Sequence, residues 1–568
     1  MRAPSEVRSW LPQALVASAS LFLLVPLFDA AWFHSHEWSA YVLRTAQFAD
    51  GLRQGYPYPR WCPDFYGGYG SPFFVFYAPL VYFLGALLAL ATGTAALGLK
   101  LVCALGSVAA GLGAYHLVQG ETRRSDAALL GAFAYLSTPY RVTNLTVRGD
   151  LSEFFALAVL PWTLYGYRAL VHETDPRKLP FRACVAMGLH AALVVSHTLI
   201  GLWGTGIAVL VALGSAWQLW RRRAVTRLIL LPGVFVGALA LSCVYWLPAL
   251  AERSLVRTDS MGLGYYAPEH NWLIPVKLLA PGQFQIAPLF GLAGLLAAVS
   301  VARRKRLGSE WLWLAGASAL VVLVLPHASM VWEKDLLPFG RLIQFPWRLL
   351  GPAALCAAMA LGLAWARSLP RRWWTDLSAL ALASAAYFAV ALPHISVEAI
   401  APSQVVQRGE RIREMMTATT GLDEYLPRAV SNPPKKMAST LATSTPAVRV
   451  VSVRSKHVLH DLELMAHEAT TMELSLHHYP GWFAETKVGP QEVTLAASSN
   501  GYVALRLPAA GRYVVRVDFG STPIRRVAGV ISLLALLGAP FGFVFAVRAR
   551  RQRSAPHVSF DASREVLA

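Results

Sequence analysis

Apolar runs of about 20 residues, the length that crosses a bilayer, recur along this chain, and short basic clusters separate many of them. The clusters are Arg123-Arg124, Arg177-Lys178, Arg221-Arg222-Arg223, Arg303-Arg304-Lys305-Arg306, Arg371-Arg372 and the run from Arg548 to Arg553. Lysine and arginine gather in this way in the cytoplasmic loops of polytopic membrane proteins. The placement explains the net charge of +19 without nucleic acid as a partner. Only 15% of residues are charged and 55% are hydrophobic, against about 25% charged in soluble proteins.

Arg2 and Arg8 precede the first run, 11–33, which carries no small-residue cleavage signal and reads as a retained helix. The N-terminus is then cytoplasmic and the loop 34–72 lies outside. If Phe73–Thr92 crossed the membrane, Arg123-Arg124 would end up outside. Pro72, Tyr77, Pro79 and Tyr82 suit a segment at headgroup level, so this run reads as interfacial or re-entrant. Further spans fall at 97–118, 127–143, 152–171, 183–199, 200–218, 227–248, 286–302, 310–326, 349–367, 375–393 and 526–547, with a division near His197-Thr198. With the first helix this predicts a mainly α, polytopic helical bundle of about twelve transmembrane helices, both termini inside.

The long external segment from His394 to Arg525 is a domain. From about Ala447 to Phe519 apolar and polar residues alternate, with turn signals at Ser498-Ser499-Asn500-Gly501 and Ala509-Ala510-Gly511. That pattern predicts a small antiparallel β-sandwich; the polar stretch from Ser396 to Pro446 reads as partly helical and partly irregular. The expected organisation is a transmembrane domain over 1–393 with an external loop 34–96, an extracytoplasmic domain over 394–524, and a final helix with a cytoplasmic tail over 525–568. Four of the five cysteines lie in apolar runs and only Cys62 in a loop, so there is no disulfide framework and no zinc spacing.

Polar residues gather on the outer side. Glu37, Tyr41 and Arg44 fall at i, i+4 and i+7, one face of a helix. Arg60-Trp61 and Gly67-Gly68-Tyr69-Gly70 follow in a turn-rich stretch. Together they suit a site for a phosphorylated group, or an interfacial loop anchored by Trp and Tyr. Tyr140, Arg141, Asn144, Arg148, Asp150 and Glu153 occupy a turn between helices; the guanidinium forks suit an oxyanion or salt bridges joining two helices. Lys100 snorkels to headgroups or meets a ligand phosphate. His197, at the outer end of a helix, is a ligand contact or a packed residue. Glu269-His270 near Lys277, and Gln344-Phe345-Pro346-Trp347-Arg348, complete the set; the latter also reads as a helix start with a Trp anchor. No phosphate-cradling glycine loop, HExxH pair or nucleophile elbow is present. No metal ligand set or cofactor is assigned, and a divalent metal stays open. Chemistry outside the membrane has no ATP and needs a donor that carries its own leaving group, as a lipid-linked phosphosugar does.

These residues resemble bacterial polytopic proteins of the "6-pyruvoyl-tetrahydropterin synthase related" membrane family, whose architecture is similar to that of GT-C glycosyltransferases. The family pattern runs His-Asp, a His and an Arg at helical spacing, Tyr-Pro-Arg-Trp, Gly-Tyr-Gly-x-Pro and Phe-Tyr-x-Pro-Leu. Its counterparts here are His36-Glu37, Tyr41, Arg44, Tyr58-Pro59-Arg60-Trp61, Gly68 to Pro72 and Phe76 to Leu80, with Glu for the Asp and Tyr41 for the second His. The match continues through Pro139-Tyr140-Arg141, Val147-Arg148-Gly149, Glu153, Ser196-His197, Gln344 to Arg348, Glu424 to Pro427 and Tyr479-Pro480-Gly481-Trp482. Val488-Gly489 stands where Asp-Gly often follows.

The resemblance implies a GT-C-like glycosyltransferase of a bacterial inner membrane. It would move a sugar from a polyprenyl-phosphate donor to a glycan or glycolipid acceptor on the external face. Glu37 would be the general base or the acid that orients the acceptor. Arg148, with Arg44, Lys100 or Arg348, would hold the donor phosphate. Arg60, Arg141, Asp150, Glu153, His197, Glu269, His270 and Gln344 would complete substrate binding. The alternative is a non-catalytic lipid-linked glycan transporter or an assembly scaffold. A carboxylate remote from the arginines in a closed bundle would favour that alternative.

Overall fold

The structure is a computed structural model that describes residues 4–22, 31–33, 35–333, 344–370, 397–399, 423–432 and 440–553, with scattered positions between them. Among the described residues six helices are long and apolar enough to cross a membrane: Ala95–Thr122, Leu151–His172, Leu179–Ser196, Thr198–Arg221, Ala287–Arg304 and Pro346–Ser368. Two bent pairs raise the number to eight, and a 31-residue helix, Pro523–Arg553, follows the strands. The protein is mainly helical, with several helices suited to a multi-pass membrane protein.

Among the described residues the expected set of about twelve continuous spans is not found complete, and the breaks have local causes. The run 227–248 divides into Val225–Leu241 and Cys243–Ala251, bent by 67°. Ser242 Oγ and Trp246 Nε1 donate to Ala238 O and Leu239 O (both 2.8 Å), occupying carbonyls next to the bend. The run 310–326 likewise bends by 84° before Pro326, where Trp332 Nε1 donates to Leu323 O (3.0 Å). The run 127–143 stops at Leu136 as a 12-residue helix, because Pro139 starts a separate turn. Among the described residues the run 11–33 is helical over Pro4–Phe22 and ends in the short strand β1, Ala31–Phe33, which pairs with β2, Val397–Ala399. The span 375–393 lies largely outside the described residues. The long apolar stretch does divide at His197, between Leu179–Ser196 and Thr198–Arg221.

Phe73–Thr92 resolves into a turn at Phe73–Phe76 and a helix of 13 residues, Leu80–Thr92. At 1.5 Å per residue that helix is about 20 Å long, short of the ~30 Å hydrocarbon core. It folds back on Ala95–Thr122 at close range: a Cβ on Gly98 would meet Gly85 O at 2.5 Å. Small residues permit this approach, as in membrane helix pairs generally.

The β-rich segment contains a four-stranded sheet, β3 (Val448–Lys456), β4 (Leu459–Ala466), β9 (Gly511–Phe519) and β6 (Trp482–Val488), in that order. A three-stranded sheet follows the order β5 (Thr470–His477), β8 (Tyr502–Leu507), β7 (Thr494–Ala497). All pairings are antiparallel. Burial alternates along β4 and β9, so Leu462, Leu464, Tyr513, Val515 and Val517 turn inward, as a period of two requires.

Two contacts stand out among those that hold this segment to the helical part. Trp61 of the first loop packs its ring against Trp482, Phe519 and Tyr479. Glu252, just past the helix Cys243–Ala251, takes a two-pronged ion pair from Arg525 at the start of Pro523–Arg553 (2.7 and 3.0 Å). Tyr479 and Thr522 also donate to Glu252 (3.0 and 2.9 Å).

Candidate active site

The first loop reaches the site through its backbone. His36 N–H donates to Val147 O (2.9 Å) and Glu37 N–H to Arg148 O (3.1 Å), so the chain leading into the helix Trp38–Arg53 lies along the turn Asn144–Arg148. Gly149 permits the approach. Its φ is +70°, and a Cβ there would lie 2.4 Å from Ser35 Oγ and 3.1 Å from Trp38 N, a conformation and a gap that favour glycine.

Helix direction does the rest. Asp150 caps the start of Leu151–His172, His197 joins the end of Leu179–Ser196 to the start of Thr198–Arg221, and Arg348 lies in the first turn of Pro346–Ser368. Helices running in alternate directions thus bring these residues to one end of the bundle. Glu37, Arg44, Asp150, His197, Gln344 and Arg348 line a cavity of about 600 Å³. Tyr77, Tyr245, Tyr266, Phe345 and Tyr425 give it aromatic walls.

Three carboxylates meet three guanidiniums here. Arg148 pairs with Glu153 (3.0 Å) and Asp150 (3.4 Å). Arg348 pairs with the same two acids (3.2 and 3.7 Å). Arg44 stands 3.7 Å from Glu37 and 4.7 Å over the Phe73 ring. Arg148 lies 4.6 Å over Trp347. Tyr140 donates to Glu153 and accepts from Arg148 (3.2 Å). Tyr41, where the resembling family has a second His, donates to Asp150 Oδ1 (3.0 Å) and accepts from Ser152 N–H (3.1 Å). A phenol there ties the first helix of the loop to Asp150 and brings no proton that titrates near neutral pH.

Two acids facing the cavity, Glu37 and Asp150, are driven apart. The Glu37 side chain is 42% exposed toward the opening, yet the walls around it desolvate the carboxyl. That burial, with the charge of Asp150, lifts its pKa above the ordinary value against the pull of Arg44, Arg148 and Arg348. Burial also pushes Asp150 up, but His197, Arg148, Arg348 and the Glu153 N–H outweigh it and hold Asp150 well below the carboxylate range. Such a pair separates a proton acceptor from a partner that stays ionised. Asp150, Glu153 and His197 also present one ligand atom each within 4.8 Å of one another. Arg148 and Arg348 already occupy the carboxylate oxygens, so a metal ion there would compete with two guanidiniums.

Seven of the anticipated residues do not line the cavity: Arg148 and Glu153 belong to the ion-pair cluster next to it, and five lie elsewhere. Arg60 donates to Val244 O (3.0 Å) and lies 4.1 Å over Tyr58, fastening the first loop to the helix Cys243–Ala251. Lys100 is buried in Ala95–Thr122. Arg141 is buried over the Phe154 ring (4.5 Å) with Gly106 O at 3.4 Å. Glu269 and His270 are exposed on the turn Pro268–His270. Conversely, Arg253, Thr258, Met261, Tyr266 and Glu424 are on the lining. Glu424 stood in a motif and Tyr266 in the polar loop that carries Glu269-His270; a solitary arginine at the foot of a loop has no periodicity to mark it.

Residues 74–401, more than half of the chain, match the model of the 6-pyruvoyl-tetrahydropterin synthase related domain, described as a membrane protein. The chain belongs to this family. Within the family region lie Arg148, Asp150, Glu153, His197 and Arg348, while Glu37 and Arg44 precede it. No curated protein matches the sequence. Among solved structures, ArnT from Cupriavidus metallidurans bound to undecaprenyl phosphate is similar at 15% identity and a TM-score of 0.41, over 66% of this chain and 64% of that one. The apo oligosaccharyltransferase of Archaeoglobus fulgidus is similar at 14% identity and 0.43, over 76% and 62%. The mycobacterial arabinofuranosyltransferase AftD is similar at 18% and 0.46, over 70% and 28%. This family member therefore spans less than two thirds of the length of each.

Proposed function

We propose that the chain is a glycosyltransferase of a bacterial inner membrane, transferring a sugar from a polyprenyl-phosphate donor to a cell-envelope glycan or glycolipid on the extracytoplasmic face. The observation that carries this reading is a Glu37 carboxyl with a raised pKa, set among guanidiniums and aromatic rings in one cavity at the ends of apolar helices. Glu37 takes the proton of the acceptor hydroxyl as its oxygen attacks the anomeric carbon. The bond from that carbon to the donor phosphate breaks, and the electron pair leaves on the phosphate, whose charge nearby guanidiniums stabilise. Asp150, held ionised, orients His197 and Arg348 and keeps the Glu37 carboxylate basic.

The test is transfer from a labelled polyprenyl-phosphate sugar in membranes, followed against pH. Glu37 must be ionised to act, so activity rises with pH along a limb lying above the usual 4.5. Removing the like charge with Asp150→Asn makes Glu37 easier to ionise and moves the limb to lower pH. Removing the cation with Arg44→Gln moves it to higher pH. A limb that both variants leave in place takes Glu37 out of the titrating role. One observation favours a second reading: the three acids are already matched by three arginines, which suits holding a headgroup without reacting with it. Lipid-carrier binding with no transfer in wild type selects that transporter or scaffold reading.

Topology follows from the same proposal. A reporter fused after Gly120 reads cytoplasmic and one after Gly93 reads external. A cytoplasmic signal at Gly93 means that Phe73–Thr92 crosses the membrane.

A further inference from the structure

We infer that Arg253 is the phosphate-binding residue of the cavity, in place of the arginines that the sequence pattern points to. This rests on the donor class proposed above and deepens it. Arg44, Arg148 and Arg348 each have a carboxylate within 3.7 Å. An incoming phosphate would have to displace Glu37, Asp150 or Glu153 to reach them fully. Arg253 also lines the cavity and is exposed; among the described residues it makes no ion pair, Glu424 on the same lining included. An arginine fork with free donors is suited to bidentate phosphate recognition.

Its position is built. The preceding residue, Glu252, is held by Arg525, Tyr479 and Thr522. Leu255 N–H donates to Glu252 O (2.9 Å) and closes the turn Arg253–Leu255. Beyond it Val256 forms a bridge with Pro427, and Arg428 N–H donates to Leu255 O (2.8 Å). The backbone on both sides of Arg253 is thus fixed, while Arg253 itself is exposed on the cavity lining. Gln344 Nε2 donates to Met261 O (3.2 Å), and the Tyr266 ring lies 5.7 Å from that of Phe345. These contacts tie the segment after Arg253 to the segment leading into Arg348. A phosphate on Arg253 therefore shares one cavity with Glu37 and Arg348, as a donor whose leaving group must depart beside the reacting carbon requires.

The experiment is binding of polyprenyl monophosphate to the full chain in nanodiscs, read for wild type, Arg253→Gln and Arg253→Lys, together with the KM and kcat of transfer. Arg253→Gln should weaken lipid-phosphate binding and raise KM by roughly 10- to 100-fold, the range of a lost hydrogen bond to a charged group. Arg253→Lys should recover part of the loss, since the charge returns without the fork. Unchanged affinity in Arg253→Gln overturns the inference and leaves the transferase reading standing. Arg253-dependent lipid binding with no transfer in wild type upholds the inference while that reading falls. If millimolar inorganic phosphate displaces the lipid from wild type but not from Arg253→Gln, Arg253 is upheld as the contact to the phosphate itself. If inorganic phosphate binds through Arg253 and the lipid does not, the lipid assignment is overturned.

Discussion

Glu37→Gln lowers sugar transfer by about 10²–10⁴-fold, the usual contribution of a general base, while the melting temperature of the detergent-solubilised protein stays close to wild type. The substitution keeps the size of the side chain and its hydrogen bonding and removes only the proton-accepting charge. Little stability is at stake. Glu37 is the N-cap of Trp38–Arg53 but makes no side-chain capping hydrogen bond, and its pair with Arg44, with the carboxylate 42% exposed, contributes no more than about 1 kcal/mol on the scale of open ion pairs. The backbone bond from Glu37 N–H to Arg148 O is untouched. Full activity in a well-folded Glu37→Gln protein would remove the base from the mechanism. A large fall in melting temperature would mean that the carboxylate is structural.

Arg525→Met unfolds the protein far more readily, at a cost of about 3–5 kcal/mol, because it leaves the buried Glu252 charge without its counter-ion. Both side chains are almost wholly enclosed, 0% and 5% exposed. Tyr479 and Thr522 still donate to Glu252, but neither brings a positive charge. The double variant Glu252→Met with Arg525→Met recovers most of the loss, since an apolar pair of similar volume needs no desolvation of ions. Thermal unfolding of the two single variants and the double variant checks this. A double variant no more stable than Arg525→Met would show that the network acts through shape and hydrogen bonds and not through charge. Arg525→Met also removes a contact that holds Glu252, the residue before Arg253, so lipid-phosphate binding should weaken together with stability in that variant.

What the sequence determines is the solvent each segment meets. Long apolar runs and basic clusters specify a multi-pass helical protein, because the hydrophobic effect and the positive-inside bias act on each segment separately. The alternation in β4 and β9 specifies strands, because a period of two needs no distant partner to be read. The helical face carrying Glu37, Tyr41 and Arg44 was legible for the same reason. Whether an arginine binds substrate is a different kind of question. Arg60 and Arg141 differ from Arg253 only in what surrounds them: an aromatic ring and a carbonyl for the first two, an open cavity for the third. The bend at Ser242 was hidden likewise, since carbonyls near it are satisfied by Ser242 and by Trp246, which lies on the far side of the break. The tertiary structure alone decided which charges cancel one another, because pairing depends on distances between residues far apart in the chain, such as Arg148 with Arg348 around Glu153, and no local pattern encodes them.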